Sequence, residues 1–150
     1  DEPLLVKFHE TLSEQSVYQR YFNHLKLDQR VAHERLTRIC FNDYDREIAL
    51  VVERKSGSKN AEILGVGRLS KARGLNEAEF ALLISDESQH QGIGSELLKR
   101  LIQIGREEKL SRITAEILGD NQPMLHVTKR AGFKVAHVTG SNDYTAEYKL

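Results

Sequence analysis

The strongest pattern in the sequence is a run of apolar residues with helical spacing, directly after a turn that contains glycines. The positions recur at i, i+4, i+5, i+8, i+9 and i+12, and they are Ile93, Leu97, Leu98, Leu101, Ile102 and Gly105. Only a helix brings residues with this spacing to one side, so we predict a long amphipathic helix that ends near Lys109. The apolar segment from Glu77 to Ser85 predicts a strand just before it. The chain must therefore contain a sheet with one face covered by this helix.

The other segments alternate between helical and extended patterns. We predict that the first third is helical, over residues 2–10, from Ser13 onwards, and from the N-cap residue Asp28 to about Arg38. Strand patterns follow at residues 47–53, 63–69, 112–118, 133–138 and 144–150, with a helix at residues 121–130. This order predicts the α/β class, with helices layered on a sheet. A chain of 150 residues has room for one such domain.

The composition argues against several kinds of partner. Lys and Arg number 22, Asp and Glu number 22, and the net charge is +0, so the basic surface of a nucleic-acid-binding protein is not expected. The apolar stretches are much shorter than the ~20 residues that cross a bilayer, so no membrane association is expected. Cys40 is the single cysteine and the six histidines are scattered, so no disulfide or metal site is predicted. We expect a cytoplasmic protein without a bound metal.

A short segment from Gln89 to Ser95 joins the predicted strand to the long helix. Gly92 and Gly94 lack Cβ atoms where the backbone turns and where a ligand could approach it closely. The helix presents unpaired N–H groups and its positive dipole end to the same space, which suits a pyrophosphate. No Lys-Ser/Thr pair follows, as a Walker A loop requires, and Leu97 stands where a dinucleotide-binding loop has its third glycine. Both an anion-binding loop and an ordinary strand-to-helix turn fit this segment.

The loop has the spacing Gln89-x-x-Gly92-x-Gly94 after a strand, and a second motif runs from Asn121-x-x-Met124 to Gly132-Phe133. Together these two motifs resemble the GNAT superfamily of acetyl-CoA-dependent N-acetyltransferases. The resemblance extends from about Glu47 to the C-terminus and implies the GNAT fold, a mixed and mostly antiparallel central sheet flanked by helices. We therefore predict that residues 1–150 form one GNAT domain, a fragment of a longer chain that lacks the first strand of the fold.

The N-terminal half is similar to a narrower group, the bacterial protein lysine acetyltransferases in which the GNAT domain is fused to a region similar to NDP-forming acyl-CoA synthetases. The similarity lies in the segments Phe8-His9-Glu10-Thr11-Leu12-Ser13, Tyr18-Gln19-Arg20-Tyr21-Phe22, Val31-Ala32-His33-Glu34-Arg35-Leu36 and Asp43-Tyr44-Asp45-Arg46-Glu47. It implies transfer of the acetyl group to a protein lysine ε-amine, on an acyl-CoA synthetase. The alternatives are acetylation of a small amine or a protein N-terminus, and a regulatory acyl-CoA-binding module without catalysis.

The resemblance also implies which residues bind acetyl-CoA. The exposed backbone of the strand before the glycine loop would pair with the pantetheine arm, and the N–H groups of the loop would hold the pyrophosphate. Asn121 would contact the cofactor or the acceptor, although it is an equally good N-cap for the helix that follows. The implied cofactor residues are Leu82, Leu83, Ile84, Gln89, Gln91, Gly92, Ile93, Gly94, Ser95 and Asn121.

The need for a proton acceptor selects the candidate catalytic residue. A lysine amine has a pKa near ~10.4 and is protonated at neutral pH, so its attack on a thioester requires a base. Glu79 resembles the glutamate that many family members use, and Glu77 shares its face of the strand as a substitute. Thr128 stands where the family often has a tyrosine that protonates the departing sulfur, which leaves the general acid open. Residues 75–88 contain acidic and no basic side chains, a charge that favours a cationic lysine.

Overall fold

The computed structural model describes residues 2–21, 27–32, 36, 40, 46–56, 60–72 and 75–150. In chain order the elements are α1 (Glu2–Glu10), α2 (Glu14–Tyr21), α3 (Leu27–Arg30), β1 (Glu47–Ser56), β2 (Asn60–Lys71), β3 (Glu77–Ile84), α4 (Ile93–Glu107), β4 (Arg112–Ile117), α5 (Gln122–Arg130), β5 (Lys134–His137) and β6 (Tyr144–Lys149). A short 3-10 turn, Asp86–Ser88, lies between β3 and α4. Within the described ranges, no helix is long and apolar enough to cross a membrane.

The described strands form one six-stranded sheet in the order β1-β2-β3-β4-β6-β5. Neighbouring strands are antiparallel except β3 and β4, which are parallel. The predicted α/β class, with a mixed and mostly antiparallel sheet flanked by helices, is therefore confirmed. β1 and β2 extend beyond their predicted segments because their ladder continues to the pair Ser56 and Asn60, beside the turn. The helix predicted from Asp28 to Arg38 is seen as α3, which ends at Arg30; Val31 and Ala32 are not helical, Leu36 is, and residues 33–35, 37 and 38 lie outside the described residues.

Apolar side chains form two cores on opposite faces of the sheet. On β3, Ala78, Phe80 and Leu82 belong to the cluster that contains the buried faces of α4 and α5. Leu83 belongs to the second cluster, together with apolar residues of α1 and α2. Because side chains alternate along a strand, Glu79 lies on the same face as Leu83. That face is the one covered by α1 and α2.

The parallel pair in the middle of the sheet is very short. β3 and β4 are paired only where Glu77–Glu79 lie beside Arg112–Thr114. Beyond this point β3 stays paired with β2 as far as Ile84, and β4 stays paired with β6 as far as Ile117. The two strands therefore diverge while each keeps its outer neighbour. The inner edges of both strands carry backbone N–H and C=O groups without a ladder partner, and they enclose a wedge.

The long helix predicted from the apolar spacing is α4, and it ends at Glu107. Its buried residues are the predicted ones after Ile93, namely Leu97, Leu98, Leu101, Ile102 and Gly105. At Gly105 the helix lies so close to β4 that an added Cβ would stand 2.8 Å from Ile113 Cδ1. This close packing fixes the position of α4 on the sheet, and with it the position of the helix N-terminus beside the wedge.

Leu101→Ala should destabilise the fold because the Leu101 side chain is 0% exposed between α4 and the sheet. The lost contacts and the resulting cavity should lower the free energy of unfolding by about 2–5 kcal/mol, measured by urea denaturation with far-UV circular dichroism. Lys99→Ala, on the exposed face of the same helix, is the control and should change it by less than about 0.5 kcal/mol. Equal stability of the Leu101 variant and the wild type would contradict the described packing.

Candidate active site

The turn from β3 into α4 leaves backbone donors facing open space. Gly92 is the N-cap residue, with a left-handed φ of 82° and no side-chain cap among the described residues. The first bond of the helix runs from the Glu96 N–H to the Gly92 carbonyl oxygen, 3.1 Å away, so the N–H groups of residues 93–95 lack acceptors within the helix. A Cβ placed on Gly92 or Gly94 would meet no atom within 4 Å. The turn thus has the donors and the space that an anion needs.

A cleft of about 400 Å³ follows the wedge between β3 and β4. Every predicted site residue except Gln91 lines it, and these residues are Glu79, Leu82, Leu83, Ile84, Gln89, Gly92, Ile93, Gly94, Ser95 and Asn121. Gln91 is exposed, and its Nε2 donates a hydrogen bond to the Glu87 carbonyl oxygen, 3.2 Å away. Its side chain is therefore placed away from the cleft, and only its backbone N–H stays a predicted cofactor contact.

Residues of α2 that the sequence did not indicate line the cleft from the face opposite α4: Ser16, Gln19 and Arg20. Glu116 of β4 is a further lining residue on this face. It lies two residues beyond Thr114, the partner of Glu79, so its side chain points to the same face as that of Glu79. From the sequence, the alternation of side chains along β4 predicts that Thr114 and Glu116 share a face. It does not predict that β4 lies beside β3, so it could not place Glu116 near Glu79.

The remaining lining residues come from β3, β4, α5 and the loop. They are Phe80, Ala81, Ser88, His90, Ala115, Ile117, Pro123, Met124, His126, Val127 and Arg130. On α5 these positions recur every three or four residues, as expected for one face of a helix. The helical spacing would have identified these α5 residues from the sequence if the face of α5 that meets the cleft had been known.

Glu79 lies where the wedge begins, and its carboxyl group holds a proton more strongly than an ordinary glutamate. Partial burial raises the pKa of Glu79, the negative charge of Glu116 raises it further, and the positive charge of Arg20 lowers it. A carboxylate with a raised pKa is a stronger proton acceptor, as a general base should be. Glu77, the alternative base, is not a lining residue, and its Oε1 lies 2.6 Å from Arg112 Nε. Glu79 is therefore the better candidate of the two.

Thr128 faces the core and not the cleft. Its side chain is 0% exposed, and its hydroxyl group donates a hydrogen bond to the Met124 carbonyl oxygen, 2.6 Å away. Met124 and Val127 line the cleft from the same helix, together with the polar side chains of His126 and Arg130. Thr128 therefore offers no proton to a departing group. Asn121 is compatible with both of its predicted roles, as a substrate contact and as an N-cap. It lines the cleft, and its Oδ1 caps α5 by accepting a hydrogen bond from the Met124 N–H, 3.3 Å away.

Backbone donors at one end of the wedge and a proton acceptor at the other suit the transfer of a group from a phosphate-bearing donor to a nucleophile. The family model of the acetyltransferase (GNAT) domain matches residues 3–134. The chain therefore belongs to the GNAT family and is an N-acetyltransferase, as the sequence motifs predicted.

Solved structures of similar fold agree with this assignment. The GNAT domain of S. lividans PAT is 25% identical, with a TM-score of 0.84 over 100% of this chain and 85% of that chain. A ribosomal-protein-alanine N-acetyltransferase from Brucella melitensis is 20% identical, with a TM-score of 0.70 over 100% and 94%. The microcin C7 self-immunity acetyltransferase, solved with acetyl-CoA and AMP, is 14% identical, with a TM-score of 0.73 over 100% and 89%. The last two similarities show the fold alone.

Gly94→Glu should abolish acetyl-CoA binding because it places bulk and negative charge in the open space beside the free N–H groups. Isothermal titration calorimetry with acetyl-CoA measures the loss. Gln91→Glu adds the same charge to the same loop on a side chain outside the cleft, and it should weaken binding much less. The unliganded Tm of both variants should stay close to that of the wild type. Undiminished affinity in the Gly94 variant would mean that the loop does not hold the pyrophosphate.

Proposed function

We propose that this domain transfers the acetyl group of acetyl-CoA to the ε-amine of a protein lysine, with Glu79 as the general base. The observation that carries the proposal is the place of Glu79, in the cleft at the point where β3 and β4 begin to diverge. The similarity of the N-terminal segments to bacterial protein lysine acetyltransferases supports the lysine acceptor. On the same ground, the proposed protein partner is an acyl-CoA synthetase.

The donor end of the cleft lies at the N-terminus of α4. There the N–H groups of residues 93–95 would hold the pyrophosphate, and the open space at Gly94 would let it approach the backbone closely. The inner edge of β3 beyond Glu79 lacks a ladder partner, so apart from the Ile84 carbonyl oxygen, which accepts from Gln89 Nε2, its N–H and C=O groups are available to bond the amides of the pantetheine arm. When bound, acetyl-CoA supplies the activated acyl group as a thioester.

The acceptor end of the cleft lies on the face covered by α2. Glu79 and Glu116 bring two carboxyl groups to this end, and Arg20 brings one positive charge. An arriving lysine side chain carries an ammonium group, which carboxylates attract and desolvated apolar walls do not. Donor and acceptor would thus enter from different directions and meet within the wedge, which is the arrangement that a direct transfer between two bound substrates requires.

The proposed reaction begins with proton transfer from the lysine ammonium to the Glu79 carboxylate. The lone pair of the neutral amine then attacks the thioester carbonyl carbon, and a C–N bond forms. The C–S bond breaks and CoA leaves with the electron pair of that bond. The second proton of the nitrogen passes to the thiolate through water, because Thr128 does not reach the cleft. Glu79 then releases its proton to solvent, so the protonated amine and acetyl-CoA give acetyl-lysine, CoA and one proton.

The acceptor can be identified by incubating the domain with acetyl-CoA and an AMP-forming acyl-CoA synthetase. Mass spectrometry should find acetyl groups on lysine side chains. A peptide with a free N-terminus and no lysine is the control, and its α-amine should stay unmodified. Acetylation confined to α-amines would contradict the lysine acceptor while leaving the acetyltransferase activity intact.

Glu79→Gln should lower kcat about 100-fold or more, because a general base contributes roughly 10²–10⁴ to the rate. It should leave acetyl-CoA binding nearly unchanged, and Glu77→Gln should keep most of the activity. The folded state raises the pKa of Glu79, so its ionisation opposes folding at pH values above that pKa. The Gln variant should therefore have an equal or higher Tm at pH 7, which separates a catalytic loss from unfolding. Full turnover in this variant would contradict Glu79 as the base.

The value of kcat/KM should fall towards acidic pH as Glu79 becomes protonated, and this falling part of the pH profile is its acid limb. Glu116→Gln removes a negative charge that raises the pKa of Glu79, so the limb should move to lower pH. Steady-state rates measured from acidic to neutral pH with a lysine peptide test this. Glu107→Gln, on the exposed side of α4 and outside the cleft, is the matched control and should leave the profile in place. A limb that stays in place in the Glu116 variant would mean that another group titrates there.

A further inference from the structure

Asp86 extends from the turn after β3 to the N-terminus of α2. Its Oδ1 accepts hydrogen bonds from the Ser13 N–H at 3.0 Å and from the Ser16 hydroxyl group at 3.1 Å. Gln89 donates from Nε2 to Ser16 Oγ and to the Ile84 carbonyl oxygen, both 3.2 Å away. Asp86 of the turn and Gln89, a lining residue of the cleft, therefore meet at one hydroxyl group of α2.

These contacts are the polar attachment of α2 to the loop. Ser16 is only 8% exposed, and removal of Asp86 would take away the carboxylate oxygen to which its hydroxyl group donates. The Ser16 N–H is in turn capped by Ser13 Oγ at 3.1 Å. A carboxylate at the N-terminus of a helix also interacts favourably with the helix dipole. Asp86 thus helps to hold the first turn of α2 in one place.

Arg20 lies one helical turn after Ser16 on α2, and both residues line the cleft. β2, β4 and α2 all pack against this part of β3, and on β2 the arginine of the same face, Arg68, has its Nη1 3.6 Å from Glu47 Oε2. Glu116 of β4 raises the pKa of Glu79 and Arg20 of α2 lowers it, while the nearby Arg112 is paired with Glu77. A displacement of α2 would therefore remove a positive charge from the environment of the proposed base.

We propose that Asp86 is a positioning residue that acts through Ser16 to hold α2 so that Arg20 lies beside Glu79. The turn that borders the cofactor end of the cleft would thereby set the charge at the acceptor end. The inference rests on the proposed function, because it takes Glu79 as the group that accepts the proton.

Asp86→Ala and Asp86→Asn separate this role from a direct effect of the Asp86 charge. Loss of the negative charge by itself would lower the pKa of Glu79 and move the acid limb of kcat/KM to lower pH. Loss of α2 positioning removes the influence of Arg20, so it moves the limb in the opposite direction, to higher pH. We expect the limb of Asp86→Ala to move to higher pH. Asp86→Asn keeps an oxygen that can accept from Ser13 and Ser16, so its limb should stay or move slightly to lower pH.

Two further variants keep the test independent of the stability of any one protein. Ser16→Ala changes no charge and removes the hydroxyl group that Asp86 and Gln89 bond, so its limb should also move to higher pH. Glu87→Ala, next to Asp86 in the same turn, is the control and should match the wild type, since only its backbone oxygen accepts a hydrogen bond in this turn. The KM for a lysine peptide should rise about fivefold in Asp86→Ala and Ser16→Ala, and stay within about twofold in Glu87→Ala.

A double-mutant cycle with Arg20→Gln provides the decisive comparison. If Asp86 acts through Arg20, Arg20→Gln alone moves the limb to higher pH, and Asp86→Ala adds no further upward shift in that background. Additive shifts, or an unmoved limb in folded Asp86→Ala and Ser16→Ala, would overturn the positioning role. The proposed function stands apart from these outcomes: acetylation confined to α-amines would contradict its lysine acceptor alone, and full turnover in Glu79→Gln would overturn both Glu79 as the base and the positioning role of Asp86.

Discussion

The separation of β3 from β4 after three paired residues is the feature on which the site depends. In a continuous ladder the backbone N–H and C=O groups on the inner edges of β3 and β4 would hydrogen-bond to each other. Here β3 stays bonded to β2 and β4 to β6, so the strands diverge and their inner backbone groups need other partners. Leaving such groups dry and unbonded would cost about 1–3 kcal/mol each, so the wedge must hold water or a chain with its own amides. A pantetheine arm has that chemistry.

The wedge also determines how two substrates can meet. Cores on both faces of the sheet hold the helices in place, with α4 and α5 on one face and α1 and α2 on the other. The N-terminus of α4 opens on the end of the cleft that carries the glycine turn, while α2 borders Glu79. Because the wedge passes between the faces, a donor held at the turn and an acceptor beside α2 can react inside the sheet without sharing an entrance.

Periodicity and glycine placement predicted the elements and one end of the site. The spacing from Ile93 to Gly105 identified α4, and the loop up to Gly94 was found because backbone donors at a helix N-terminus are visible in a sequence. Glu116 was missed because its nearness to Glu79 depends on strand order and on the register of Glu79 with Thr114, and Arg20 was missed because its nearness depends on how α2 packs on the sheet. Alternation within one strand carries no information about which strand lies beside it.

Thr128 shows a different limit of prediction from the sequence. Counting from Gly132-Phe133 placed it correctly along the chain, but the rotation of α5 decides which way it points. Leu125 and Thr128 are three residues apart and both buried, so they share the core face, and Met124 and Val127 form the wall of the cleft. His126 and Arg130 line the cleft from the same helix, so its exposed face carries both apolar and polar side chains. Thr128 supplies no proton to the cleft, and in the proposed mechanism the amine proton passes to Glu79, whose pKa reflects the balance of burial and Glu116 against Arg20. If that mechanism holds, the placement of α2 is as much a part of the chemistry as the carboxylate itself.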